Sequence, residues 1–222
     1  MQLFNSAFLY IPMKRWEKYD KFLQSGNWHV HSSYTDGKNS VFEMCQKAEE
    51  LGMRIIVFTE HVSRKMGFRF EDFLADVHAA KDRFNLIVLA GCEAAVTDVN
   101  GTLDAYPEML RQCEIVAAGF HRFPYHEKEK RLHALELLLK NPQVDVWTHP
   151  RTLYMTGRIA LTLTPTEKER ALSWCKENTV LLENNSRYPL DKEFLDTAQR
   201  MRVPTCSATS AHSTEELERS IP

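Results

Sequence analysis

Nowhere does the sequence carry an apolar run near the ~20 residues needed to cross a bilayer, so no membrane-spanning helix is expected. The opening stretch, MQLFNSAFLYIPMKRW, is apolar enough to suggest a signal segment. No basic stretch precedes it and Pro12 interrupts it, which argues against that reading. Excess charge of one sign is also missing. The net charge of −2 over 222 residues excludes a general nucleic-acid-binding surface. Paired cysteines are absent too. The five, Cys45, Cys92, Cys113, Cys175 and Cys206, are odd in number and none sits in a CxxC spacing, so free thiols in a reducing cytoplasm are expected. Internal repeats, low-complexity tracts and Gly/Ser/Pro-rich linkers are absent. The chain therefore reads as one domain over residues 1–222, with residues 1–26 as a lead-in.

What is present alternates. Apolar runs at 28–31, 54–61, 86–95, 115–121, 144–149, 180–185 and 203–210 read as strands, and stretches of helical period separate them. Ser40 and Glu43 form a capping box ahead of the stripe Val41, Met44, Cys45, Ala48 and Leu51, and Gly52 is placed to end that helix. Further boxes stand at Thr164 to Glu167, with Pro165 at the first helical position, and at Ser213 to Glu216. Asn100-Gly101 reads as a tight hairpin turn. Strands alternating with helices imply parallel pairing through crossovers, and seven units suggest a barrel, with an open doubly wound sheet as the alternative.

The histidines fall on this frame in a pattern. Of nine, six (His29, His31, His61, His121, His149 and His212) sit at or just past C-terminal strand ends, and Glu93 lies in the third strand. In a parallel barrel those ends converge on one face. Residues two apart in a strand share a face, so His29 and His31 aim into the mouth together, as do Ser210 and His212. A lone histidine at a strand end is more often a hydrogen-bonded polar residue than a ligand. Six of them together with carboxylates would be costly to desolvate without a common partner, and a metal centre supplies one.

The segments HVHSSYTDG, FTEH, AGCEAAV, GFH, THP, LLENNS and TSAH, spanning about Asn27 to Ser213, resemble the polymerase-and-histidinol-phosphatase (PHP) family. The resemblance implies a distorted seven-stranded parallel (β/α)7 TIM-like barrel holding two or three divalent ions and hydrolysing phosphate esters. Carried over motif by motif, His29, His31 and Glu93 would hold one metal. Glu93 would bridge to a second, held also by His121 and His149. Asp36, His61 and His212 would serve a third. The family's last motif ends in Asp-x-His, whereas this chain reads Ser210-Ala211-His212, so a neutral hydroxyl stands where an anionic ligand of the first metal is expected.

Two cations about 3.5–4 Å apart can hold a hydroxide between them and clamp phosphoryl oxygens. Imidazole with carboxylate suits zinc, iron or manganese alike. His29, His31, Glu93 and His212 are the residues expected to carry the chemistry. Arg64, Arg122, Arg151 and Arg187 each follow a strand end, and arginine forks suit phosphate oxygens. Arg151 is the first choice as phosphate anchor and Arg122 the second. Other polar residues take plainer readings. Glu183, Asn184 and Asn185 are read as supports behind the ligands, Glu60 as pointing outward, and the run Lys128 to Arg131 as a solvated helix face. Trp28, Trp147 and Trp174 read as core. Cys92 and Cys206 read as packing away from the mouth. The expected substrate is a small phosphorylated molecule, with histidinol phosphate, a nucleotide and a sugar phosphate all open, and the oligomeric state is unknown. Two other readings compete. One is an amidohydrolase-like barrel cleaving C–N bonds, against which no strand-end lysine is available as a carbamylated bridge. The other is a PHP domain made non-catalytic by Ser210.

Overall fold

The computed structural model describes residues 13–121, 123–150 and 163–218. All seven expected strands form: β1 (Gly26–Val30), β2 (Ile55–Val62), β3 (Ile87–Ala95), β4 (Ile115–Gly119), β5 (Val146–Trp147), β6 (Leu181–Asn185) and β7 (Thr205–Ala208). They pair in parallel in sequence order. The return from β7 to β1 is a single parallel bridge, Val30 to Ala211, where the His31 amide donates to the Ala211 carbonyl at 2.9 Å. One bridge in place of a full ladder makes this barrel distorted. The helices are α1 (Val41–Glu50), α2 (Phe70–Arg83), α3 (Pro107–Gln112), α4 (Lys128–Leu139), α5 (Pro165–Glu177), α6 (Lys192–Met201) and α7 (Thr214–Glu218). None of the described helices is long and apolar enough to cross a membrane.

Local signals account for the helix starts. Ser40 and Thr164 each accept from the amide three residues on, and the partner glutamates Glu43 and Glu167 reach back, so both capping boxes close. At α7 only half the box forms. Ser213 Oγ accepts from the Glu216 amide, but the Glu216 carboxylate turns to the His212 amide at 2.8 Å. Gly52 adopts φ +72° after α1, a conformation that only glycine enters without strain. The expected hairpin at Asn100-Gly101 is reduced to one antiparallel bridge, Val96 to Leu103, because Asp98 Oδ1 draws the Asn100 and Thr102 amides into a wider turn.

Two apolar layers hold the barrel. Trp28, Ile55, Val57, Leu89, Ile115, Ala117, Val146, Leu181 and Cys206 fill the lumen. Val30, Phe58, Val88, Val116, Trp147 and Leu182 face the helices. Each large side chain so buried contributes roughly 1.5–3 kcal/mol. Strict alternation would place Trp28 on the outer face with Val30. A register shift between Asn27 and Val30 turns Trp28 inward, so it floors the lumen beneath His29. Cys206, expected to face away from the site, is also a lumen residue below it, whereas Cys92 packs outward. The described part of the lead-in is structural. Residues Arg15–Phe22 form a 3₁₀ segment whose Trp16 joins the lumen cluster and donates to the Thr179 carbonyl at 2.8 Å. Arg15 pairs there with buried Asp145 at 2.8 Å. This segment plugs the end of the barrel opposite the histidines. Arg131, read as solvated, is instead buried under α4, its Nε donating to the Tyr125 carbonyl at 2.7 Å.

Candidate metal centre

Parallel registry carries the site residues to one mouth. Glu93 on β3 is the direct partner of His61 on β2, so the two side chains share a face. His29 and His31 reach the same point from β1. His121 and His149 lie just beyond β4 and β5, and His212 beyond β7. His149 sits at φ +30°, unusual for a non-glycine residue. Gly119 makes room for it. A Cβ there would meet the Thr148 methyl at 2.8 Å and the His149 ring at 3.4 Å.

Glu93 stands at the centre. Its Oε1 lies 2.6 Å from His149 Nε2 and 2.9 Å from His121 Nε2. Its Oε2 lies 3.1 Å from His61 Nδ1, 3.3 Å from His29 Nε2 and 3.6 Å from His31 Nε2. Asp36 closes the outer side, 3.3 Å from His212 Nε2, 3.5 Å from His61 Nε2 and 3.9 Å from His31 Nδ1. Three overlapping groups have the compactness of a cation site: His29, His31 and Glu93; His61, Glu93 and His121; and His31, Asp36, His61 and His212. All of them but His29, which lies beneath, line a cavity of about 290 Å³ together with His149, Arg187, Tyr188 and Ser210. None of the described lining residues is a lysine, the residue an amidohydrolase-like barrel would carbamylate as its bridge. A larger cavity of about 470 Å³ lies along the β1–β7 seam and contains none of the site histidines.

The electrostatics are those of a donor set held close together. Burial opposes a charge on His29, but Glu93 and Glu183 outweigh it and raise its pKa to about 10. Burial, reinforced by the His29 charge, holds His31 well below its ordinary value, so that ring is neutral. Burial would raise Glu93, yet His29, His121 and His149 pull it well below the usual carboxylate range. Hydrogen bonds from His212 and His61 lower Asp36 strongly. His31 Nδ1 is buried and has no hydrogen-bond partner. A buried polar atom is rarely left so unless something else occupies its lone pair. The residues present therefore fit a divalent ion.

Behind the donors lies a support that the sequence marked only loosely. Glu183 on β6 is fully buried. Its Oε1 accepts from His29 Nδ1 at 2.6 Å, and its Oε2 accepts from the Thr148 hydroxyl at 3.0 Å and from the His149 amide. Fixing Nδ1 in this way aims His29 Nε2 at the centre. Ser210, at φ +48°, does face the cavity, but its Oγ accepts from Asn185 Nδ2 at 2.8 Å. His212 Nδ1 donates to the Ser210 carbonyl at 2.6 Å. Among the arginines, Arg122 and Arg151 lie outside the described residues, and Arg64 is exposed away from the cavity with its amide on Asp104. Arg187 does line the cavity, 3.1 Å from the Ser210 carbonyl and 3.2 Å from Glu216. Glu60, expected to point outward, is wholly buried beneath the loop that follows β1.

The PHP domain matches this chain over residues 27–189. The chain belongs to the PHP domain family. That match ends before Ser210 and His212, which the barrel nonetheless brings to the PHP site. Among related proteins, the DNA polymerase/3'-5' exonuclease PolX of Bacillus subtilis is 25% identical over 203 residues, covering 87% of this chain but 35% of that protein. A "Probable phosphatase" of Acetivibrio thermocellus is 25% identical over 210 residues, covering 90% of this chain and 83% of the relative. This chain thus spans about a third of the polymerase and most of the second protein. Among solved structures, a Listeria monocytogenes protein provisionally assigned as a histidinol phosphatase superposes with a TM-score of 0.64 at 14% identity, over 87% of this chain and 97% of that one. At that identity the likeness speaks for the barrel.

Proposed function

We propose that this PHP domain is a metal-dependent phosphoesterase that hydrolyses a small phosphorylated substrate with two or three divalent ions, zinc, iron or manganese. The observation that carries the reading is Glu93. One buried carboxylate within 3.6 Å of five imidazoles is an arrangement for sharing cations, and it stands in a mouth open to solvent. His29, His31 and Glu93 would hold one ion, and Glu93, His121 and His149 a second. Asp36, His61 and His212 would hold the third. When bound, the ions supply Lewis acidity and lower the pKa of water toward neutrality. The chain's own groups do the rest. Glu183 and Thr148 keep His29 in one tautomer, and Glu93 gathers the imidazoles about one point. The Ser210 carbonyl aims His212 Nε2 into the mouth.

A phosphate needs a cation at the rim, and among the described arginines Arg187 is the one that lines the cavity. Its fork is part-satisfied by Glu216 and a carbonyl, which holds it over the opening. The phosphatase name of the Acetivibrio relative, similar over 83% of its length, supports a small phosphoester. The test combines metal content per chain with turnover of a panel of phosphate mono- and diesters, histidinol phosphate, nucleotides and sugar phosphates among them. The reading expects hydrolysis that a chelator abolishes and divalent metal restores. A chain that binds no metal, or binds it and cleaves none of the panel, would overturn it. In the same assay Arg187→Ala should raise KM about 10-fold or more while metal content stays at the parent level. An unchanged KM would return Arg187 to a structural role.

Ser210 sets a further expectation. The donors facing the cavity include two carboxylates, Asp36 and Glu93, for as many as three cations. Glu183 adds a negative charge one layer back, so the deficit is smaller than the donor set alone implies. An aspartate at 210 would still accept from Asn185, and the left-handed backbone there tolerates Asp well. Ser210→Asp should therefore raise metal occupancy and hydrolysis together. A serine chain that already holds as many ions and turns over at least as fast would contradict the charge argument.

A further inference from the structure

Glu60 precedes His61 on β2 with the opposite parity, so its carboxylate leaves the mouth and enters the space under the loop after β1. It is fully buried, and no described lysine or arginine is paired with it. All of its hydrogen-bond donors come from that one loop. Oε1 accepts from the Ser32 amide at 2.8 Å and from the Ser32 hydroxyl at 2.6 Å, and Oε2 accepts from the Thr35 hydroxyl. The loop is wound tightly over this anchor. The Ser32 carbonyl accepts from the amides of Thr35 at 3.1 Å and Gly37 at 3.0 Å. Gly37 is pressed on the strand end so closely that a Cβ would stand 2.5 Å from the His31 carbonyl. Between Thr35 and Gly37 is Asp36. Its side chain is 55% exposed and faces His31, His61 and His212, and the Thr35 hydroxyl that Glu60 holds also lies 3.4 Å from Asp36 Oδ1.

We propose that Glu60, acting through Ser32 and Thr35, is the positioning residue for Asp36, and so governs the outermost cation of the site. The inference rests on the metal reading above. The physical case is that a buried carboxylate without a cationic partner is costly, and three donors from a single loop offset that cost only while the loop stays in place. The same strand thus delivers His61 to the site directly and Asp36 at one remove. A shift of either is a shift of both, which keeps two donors of one ion in fixed relation.

The experiment loads the metal-free full chain with Mn²⁺ and reads the number of ions bound, the affinity of each and turnover against metal concentration. Asp36→Asn defines which ion depends on Asp36. Glu60→Ala removes the anchor. Thr35→Val removes one donor from a partly exposed position while keeping shape, and Thr35→Ser keeps the hydroxyl. The proposal expects Glu60→Ala and Thr35→Val to weaken the Asp36-dependent ion about 10- to 100-fold, in line with other outer partners of metal ligands. The remaining ions should be held as in the parent, turnover should recover at high Mn²⁺, and Thr35→Ser should match the parent. If Glu60→Ala does not fold, Glu60→Gln, which keeps the size and leaves the Thr35 contact with Asp36 in place, decides together with the Thr35 pair. Thr35→Val binding every ion like the parent, while Asp36→Asn loses one, would overturn the role of Glu60 alone. Uniform weakening of all ions without recovery would also overturn it, since that is the mark of general destabilisation. An Asp36→Asn chain that keeps the parent's full metal content would overturn both this proposal and the assignment of an ion to Asp36.

Discussion

Glu93→Gln is expected to remove two ions at once and to lower phosphoester turnover by at least about 100-fold, beyond the roughly 10- to 100-fold typical of an outer partner. Glu93 meets His121 and His149 with one oxygen and His29, His31 and His61 with the other. The amide keeps the size and one acceptor but loses the charge and replaces the second acceptor with a donor. Two sets of imidazoles then face a neutral group, and the cations lose their shared anion. Metal analysis of the purified variant beside a rate measurement checks this. A variant that loses one ion and keeps the other would make Glu93 a ligand of a single metal, and one that matches the parent in both would remove it from the site.

Glu183→Ala should be nearly as damaging, by another route. Glu183 never meets the cavity, but His29 Nδ1, the Thr148 hydroxyl and the His149 amide all end on it. Truncation takes the carboxylate from three buried donors and leaves His29 Nδ1 only the Thr148 hydroxyl at 2.9 Å, and breaking a buried charged pair of this kind costs about 3–5 kcal/mol. The metal-free chain should lose that much in denaturant unfolding. Metal affinity should fall about 10- to 100-fold as His29 and His149 lose their fixed orientation. Glu183→Gln, which retains one oxygen, should fall between. Parent-like stability of Glu183→Ala would show that water replaces the carboxylate and that the support is dispensable.

The barrel was legible because its signals are local and repeated. Each strand is an apolar run short enough to end at a turn signal, and α1 and α5 carry capping boxes that a linear reading finds. The histidines were legible for the same reason, since in a parallel sheet a position at a strand's C-terminal end is already a position in the mouth. Glu93 and His61 illustrate this, because both are named by their place along a strand and the register sets them side by side. Glu60 illustrates the failure. Parity correctly turned it away from the mouth, but parity says nothing of what covers the other face, and the loop over it belongs to a different segment. Trp28 is core as read, but the shift between Asn27 and Val30 turns it into the lumen, a side that alternation alone does not give.

What the sequence by itself determined is the order of strands and helices and the set of donors at their ends, because these follow from period, caps and residue chemistry along the chain. Only the tertiary structure decided which nitrogen of each imidazole faces the centre and that Glu183 stands behind His29. It also placed Arg187 at the rim and lodged Arg15–Phe22 in the opposite end of the barrel. Each of these is a contact between distant segments whose register comes from closing the sheet, and closure depends on the packed lumen as a whole.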